Sequence, residues 1–292
     1  MALIVSIVWG TTFIATKLLL NGGFHPVELI IYRFTLAWCV LFLFSPKPLL
    51  PKSFKDEWPF MAAGLTGLTL YFFFENHALT FTLASNVGII LSTAPMFTAM
   101  CLWLSRRTSR PKLTFFLGFA VAMTGIVIIS LGGGSLQLNP IGDLLCLGAA
   151  LCWGLYGIFL EMTADQKLTT IQATRKVFFW GLVFTLLCSL LYQNELHLMD
   201  LSRFNTPSLI FCIIYLSGGA SAACFILWNN AIKIIGTVST SLYIYLTPII
   251  TLVASYLVLH EPITPTAMGA TTLIIAGLWL SQKKGKTPTP AE

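Results

Sequence analysis

Two charges lie where charge is costly. Arg33, in LIIYRF, and Glu75, in FFFENHAL, each sit several residues inside an otherwise apolar run. At 1.5 Å per residue both fall about 9 Å below the same end of their helices. An ionisable group at that depth in a bilayer marks a structural pair or a pathway for solute or proton. Equal depth on consecutive helices makes an Arg33–Glu75 pair feasible. Glu75 is the better coupling candidate, because the matching position in the second half of the chain is Trp228 and the symmetry of the halves does not demand the charge. Arg175 and Lys176 enter the seventh apolar run from the opposite end, Arg175 within reach of Glu161 and Lys176 able to snorkel. Structural pairing is the simpler role for each of these groups.

A second set offers aromatic faces and hydroxyls. Trp9, Thr12, Phe13 and Thr16 recur at i, i+3, i+4 and i+7, and Trp153 and Tyr156 repeat the theme in LCWGLYGIF. Trp9-Gly10 and Trp153-Gly154 hold equivalent places in the two halves. Core packing would produce the same pattern; the functional alternative is a wall of a central cavity. Pro95 and Pro248 each delete a helix hydrogen bond near mid-span, with Ser92, Thr93 and Thr247 beside them. A kink is expected at both, lining a polar cavity. Asn86 and Tyr243 extend that lining, Tyr243 and Tyr245 standing about 200° apart so that one at most faces it. Tyr71 and Trp228 complete the candidate substrate contacts. Gly64, Gly67 and Ser217-Gly218-Gly219-Ala220 read as close helix packing.

No metal or cofactor is expected. The seven cysteines lie in apolar runs without a CxxC, and four scattered histidines make no zinc pattern. No Walker A loop is present.

These residues need elements that cross a membrane. The 292-residue chain is 56% hydrophobic and 10% charged, against about 25% charged in a soluble domain. A net charge of +6 does not indicate nucleic acid, since the basic residues sit at the ends of apolar runs instead of forming a stripe. The expected partners are a small-molecule substrate and the lipid bilayer, and a monomer is compatible with both. The pattern predicts an all-α polytopic membrane protein of ten transmembrane helices, at 3–20, 27–45, 58–80, 84–104, 113–131, 141–160, 171–192, 208–232, 237–258 and 263–281. The first run carries no basic leader and is expected to be retained. GGGSLQLNP (132–140) reads as an uncharged connector and KKGKTPTPAE as a disordered tail.

Shifting the sequence by 153 positions brings Asn76 onto Asn229, Ala78 onto Ala231, Pro95 onto Pro248 and Thr98 onto Thr251. The chain therefore divides into two five-helix repeats, 1–135 and 136–292, and an odd number of helices inverts the second relative to the first. Lys47, Lys52, Lys55, Arg106, Arg107, Arg110, Lys112, Lys167, Lys233, Lys283, Lys284 and Lys286 fall on the side of the termini. Only Lys17 and Arg203 fall opposite, which predicts cytoplasmic termini.

The openings VWGTTFIATK and LIIYRF, the segment ENHALTFTLASNVGIILSTAPMFTAM and its counterpart WNNAIKIIGTVSTSLYIYLTPIITLVASYLVLHEPIT resemble the drug/metabolite transporter superfamily, of the EamA type. The resemblance implies a ten-helix bundle around a central cavity, in a bacterial inner membrane, exporting amino acids, other metabolites or toxic small molecules. It also implies a Glu after each fourth helix. Glu261 in LHEPIT fits, whereas the first half reads WLSRRTSRPK without one. The expected function is a secondary transporter exporting a small amphipathic metabolite by alternating access with proton coupling, and not an enzyme. A channel or lipid scramblase is the alternative use of the same architecture.

Overall fold

The computed structural model describes residues 1–47, 49, 53–108, 110–131, 139–163, 166, 168–204 and 206–282. All regular elements among them are helical. The first half contains α1 (Ala2–Asn21), α2 (Pro26–Phe44), α3 (54–81), α4 (Ala84–Leu104) and α5 (Leu113–Leu131). The second contains α6 (Pro140–Met162), α7 (Thr170–Ser189), α8 (Pro207–Ile235), α9 (Thr237–Leu259) and α10 (Pro265–Gln282). Among the described residues, seven stretches are long and apolar enough to cross a membrane, those of α1, α2, α4, α6, α7, α8 and α9. The apolar runs of α5 and α10 are shorter. Lys52, Lys167, Lys283, Lys284, Lys286, the connector residues 132–138 and the tail from 283 lie outside the described residues.

Local chemistry sets the helix ends. His25 caps α2, its Nδ1 accepting from Val27 N, while Glu28 accepts from His25 N at 2.9 Å. Thr169 and Gln172 form the same reciprocal box on α7. Asn139, which the sequence reading placed in the connector, caps α6 ahead of Pro140. α3 starts at Phe54, four residues earlier than expected, because Ser53 accepts from Asp56 N and holds the first turn. α8 continues to Ile235 and stops at Gly236, whose φ of +83° suits a residue without Cβ.

Four helices are interrupted within the bundle. α3 is π-helical over Leu65–Leu70 and α8 over Tyr215–Ala223. α4 opens at Ser92–Thr93, and α9 tightens to a 3-10 helix over Leu242–Leu246. The expected kinks thus lie just before Pro95 and Pro248, which occupy the first turn of the helical segment that follows. A proline ring lacks an N–H and collides with the carbonyl four residues back, so the ladder opens on its N-terminal side.

Most large contacts join the halves. α1 packs on α9 and α4 on α6, α2 on α7 and α8, α3 on α6 and α7, and α5 on α10. Two glycines allow close approaches to the broken helices. A Cβ on Gly10 would lie 2.7 Å from Ile250 of α9, and one on Gly154 would lie 2.9 Å from the Phe97 backbone of α4. The glycine of each Trp-Gly pair lets its helix press against the broken one.

Candidate functional site

Broken helices leave space between them. α1, α2, α3, α4, α6, α8 and α9 enclose a cavity of about 40 Å³, enough for water but not for an organic solute. Trp9, Thr12, Phe13, Tyr71 and Trp153 line it together with both buried charges, Arg33 and Glu75. The remaining lining was not singled out from the sequence, Thr247 excepted as a neighbour of Pro248. It comes as pairs that the 153-residue shift relates, Phe72 with Phe225, Leu91 with Ile244, and Ala94 with Thr247. That shift, applied to whole helices instead of to identities, was the available signal.

The π-helical segment of α8 fixes much of the wall. A π turn leaves carbonyls and side chains out of α-helical register. The Trp9 indole donates to Ala220 O at 2.9 Å, and Arg33 Nε donates to Ser221 Oγ at 2.6 Å. Tyr215, at the start of the segment, donates to Val8 O at 2.9 Å. Trp9 then meets Trp153 edge to face, centroids 5.3 Å apart, and Trp153 contacts Tyr71 at 5.2 Å.

Arg33 and Glu75 are 3% and 2% exposed. The Arg33 guanidinium carbon stands 4.2 Å from the Phe72 ring centroid. No ion pair among the described residues joins it to Glu75. Tyr71 places its hydroxyl beside the Glu75 carboxylate, whose Oε1 is buried without a hydrogen-bond partner. The pair that equal depth made feasible is therefore not in direct contact, although each charge lies within electrostatic range of the other.

Other candidates lie elsewhere. Trp228 backs the wall, fully buried, 4.8 Å from the Trp9 ring. Tyr156 donates to Asn229 Oδ1 at 3.1 Å, and Asn229 Nδ2 to Thr174 Oγ1 at 2.9 Å, one layer beyond the cavity. Thr93 bonds back to Ile90 O at 2.7 Å, and Asn86 donates to Thr82 Oγ1 at 3.2 Å. Both bond within their own helix region and neither lines the cavity, although the Asn86 Oδ1 is buried without a partner. Tyr243 is 40% exposed on the bundle's outside, beside Leu3 and Ile235, because the 3-10 turn directs it outward. Arg175 does not meet Glu161. It donates to the carbonyls of Ser45 and Lys47 past the end of α2, and Glu161 accepts from Thr237 Oγ1 at 2.6 Å. Lys176 does not snorkel: it pairs with buried Glu57, which also accepts from Trp180 Nε1 at 2.7 Å.

Polar contacts join the halves at both ends of the bundle. At the end bearing Arg175 they are the Glu57–Lys176 pair and the Arg175 contacts to Ser45 and Lys47. At the other, Arg203 grips Glu28 at 2.8 Å, and that hydrogen bond pushes the guanidinium pKa up from its ordinary value. Glu261 accepts from Ala84 N at 2.8 Å and from Ser85 N and Oγ at 3.0 and 2.6 Å, capping α4 of the opposite half. Lys17, at the same end, donates within the first half, to Leu79 O and to Thr82 O.

Comparison with known proteins adds family context. The profile of the EamA-like transporter family matches residues 1–131 and 140–282. An uncharacterized transporter of Archaeoglobus fulgidus is 28% identical over 291 residues, covering 95% of this chain and 94% of that one. A protein of Salmonella typhimurium named "Probable amino-acid metabolite efflux pump" is 25% identical, covering 96% and 93%. A "Probable terminal-alkyne amino-acid exporter" of Streptantibioticus cattleyicolor is 24% identical, covering 97% and 93%. A solved crystal structure superposes with a TM-score of 0.66 at 18% identity over 96% of this chain and 95% of the other, a likeness of fold.

Proposed function

Because the chain belongs to the EamA-like transporter family and is a multi-pass membrane protein, we propose that it is a bacterial inner-membrane secondary transporter. It exports a small amphipathic metabolite, an amino acid or related compound, by alternating access with proton coupling. All ten helices cross the bilayer as two inverted five-helix repeats, 1–135 and 136–292, with both termini cytoplasmic.

The observation that carries the reading is the cavity's composition. Equivalent residues of the two halves line it, as do Trp9 and Trp153, and polar contacts join the halves at both ends. Exchange of the halves also maps α1 on α9 onto α6 on α4, and α2 on α8 onto α7 on α3. A wall made from two like halves, with interruptions in each, suits rocking about a central site. The amino-acid efflux names of two relatives support the substrate class.

Reconstitution tests it. A carrier gives saturable flux and counterflow, in which a loaded substrate drives uptake of its labelled copy against its gradient. Flux that rises linearly with concentration and shows no counterflow would indicate a channel instead, and exchange of lipid reporter dyes a scramblase.

A further inference from the structure

The charges in the cavity break its symmetry. Phe72, Leu91 and Ala94 have counterparts across the wall, whereas Glu75 faces a position that is Trp228 in the other half, and Arg33 has no basic counterpart in the lining. The two are unpaired with each other, and one carboxylate oxygen has no donor although it is buried. A buried, unsatisfied carboxylate oxygen is costly, so its retention in a cavity wall calls for a partner that arrives from elsewhere.

We propose that the Arg33–Glu75 face is a zwitterion site, which takes the substrate's carboxylate on Arg33 and its ammonium on Glu75. The inference rests on the carrier reading and names its substrate class as free α-amino acids. A guanidinium held through Nε by Ser221 and backed by Phe72 can still offer its outer N–H groups to a carboxylate. The open Oε1 of Glu75 accepts from an ammonium. In a poorly screened cavity of opposite fixed charges, a ligand with both charges neutralises the site, whereas a cation or an anion leaves one wall charge unmet. Trp9, Phe13 and Trp153 then surround the ligand's side chain. The present cavity of about 40 Å³ has room for water but not for an amino acid, so binding requires the Trp9–Trp153 contact to part.

Thermal unfolding of the purified full-length protein is measured with each of the L-amino acids, since a ligand of the folded state raises the midpoint. Any that does so is compared with the amine lacking its carboxylate and the acid lacking its ammonium; phenylalanine, 2-phenylethylamine and 3-phenylpropionate form one such trio. The expected result is at least tenfold weaker binding of both analogues. Arg33→Gln should abolish the penalty on the amine and Glu75→Gln the penalty on the acid, a crossed pattern that general loosening would not give. Arg33→Lys and Glu75→Asp keep the charges and should reduce each penalty without abolishing it, and the wild-type trio decides if no variant folds. Equal binding of an analogue, absence of any amino-acid effect, or parallel loss of both penalties in each variant would overturn the proposal. Saturable counterflow of a solute that is not a zwitterion, without amino-acid binding, overturns it and leaves the carrier reading standing. Flux without saturation or counterflow removes the carrier reading, while the trio still reports on the site.

Discussion

Glu75 combines burial, an open oxygen and a place in the cavity wall. A group that exchanges a proton for substrate needs both ionisation states in the transport cycle. Glu75→Gln keeps the shape and removes that choice. The expected variant folds and still exchanges substrate, at the weaker affinity that loss of the ammonium contact implies, but no longer accumulates it against a gradient under a pH difference; undiminished uphill transport would exclude Glu75 as the proton carrier. The pair of Lys176 and Glu57 contrasts with it, both buried and mutually satisfied. Lys176→Met leaves an unpaired buried carboxylate and should cost about 3–5 kcal/mol of stability, with partial recovery in the double variant with Glu57→Gln. Thermal or denaturant unfolding would measure it, and an unchanged midpoint would show the pair to be dispensable.

At the scale of the helix, the interruptions place the side chains. Gly67 sits in the π segment of α3 against the Tyr156 ring, where a Cβ would lie 2.2 Å from Cδ2. Gly67→Ala must displace that ring and with it the bond to Asn229. A loss of about 1–3 kcal/mol is expected from the overpacking, together with altered transport. Gly67→Ala combined with Tyr156→Leu should recover stability more than either change would suggest alone, and a double-mutant cycle measures that excess. The sequence revealed the glycines but not this use of them. Small residues in a helix report close packing, whereas a π turn depends on which neighbour the extra residue meets, and that neighbour is distant in sequence. The prolines were similarly readable as interruptions, while Tyr243 was misplaced because a straight helix was assumed through the 3-10 turn.

For the whole molecule, hydropathy made the helical class legible, because lipid contact leaves its mark on every turn. The aromatic wall was partly legible too: Trp9, Thr12, Phe13, Tyr71 and Trp153 share one cavity. The partners of Arg33, Arg175 and Lys176 were not, since each is found on a helix or loop whose approach only the packing decides. The orientation can be tested directly. In a background without accessible cysteines, Arg110→Cys should resist a membrane-impermeant thiol reagent in intact cells and Asn194→Cys should react. The reverse pattern would place the termini outside and overturn the proposed topology.

Three indoles, those of Trp9, Trp153 and Trp228, lie with ring centroids 4.8–6.0 Å apart at the cavity wall. Chromophores so close share their excited states, and the sign and size of the shared circular-dichroism band follow their mutual angle. Any rocking that parts Trp9 from Trp153 therefore carries its own optical signature. The proposed rocking would then be visible in ultraviolet light without a label, and Trp9→Phe should remove the change while leaving the steady contribution of the Trp153–Trp228 pair.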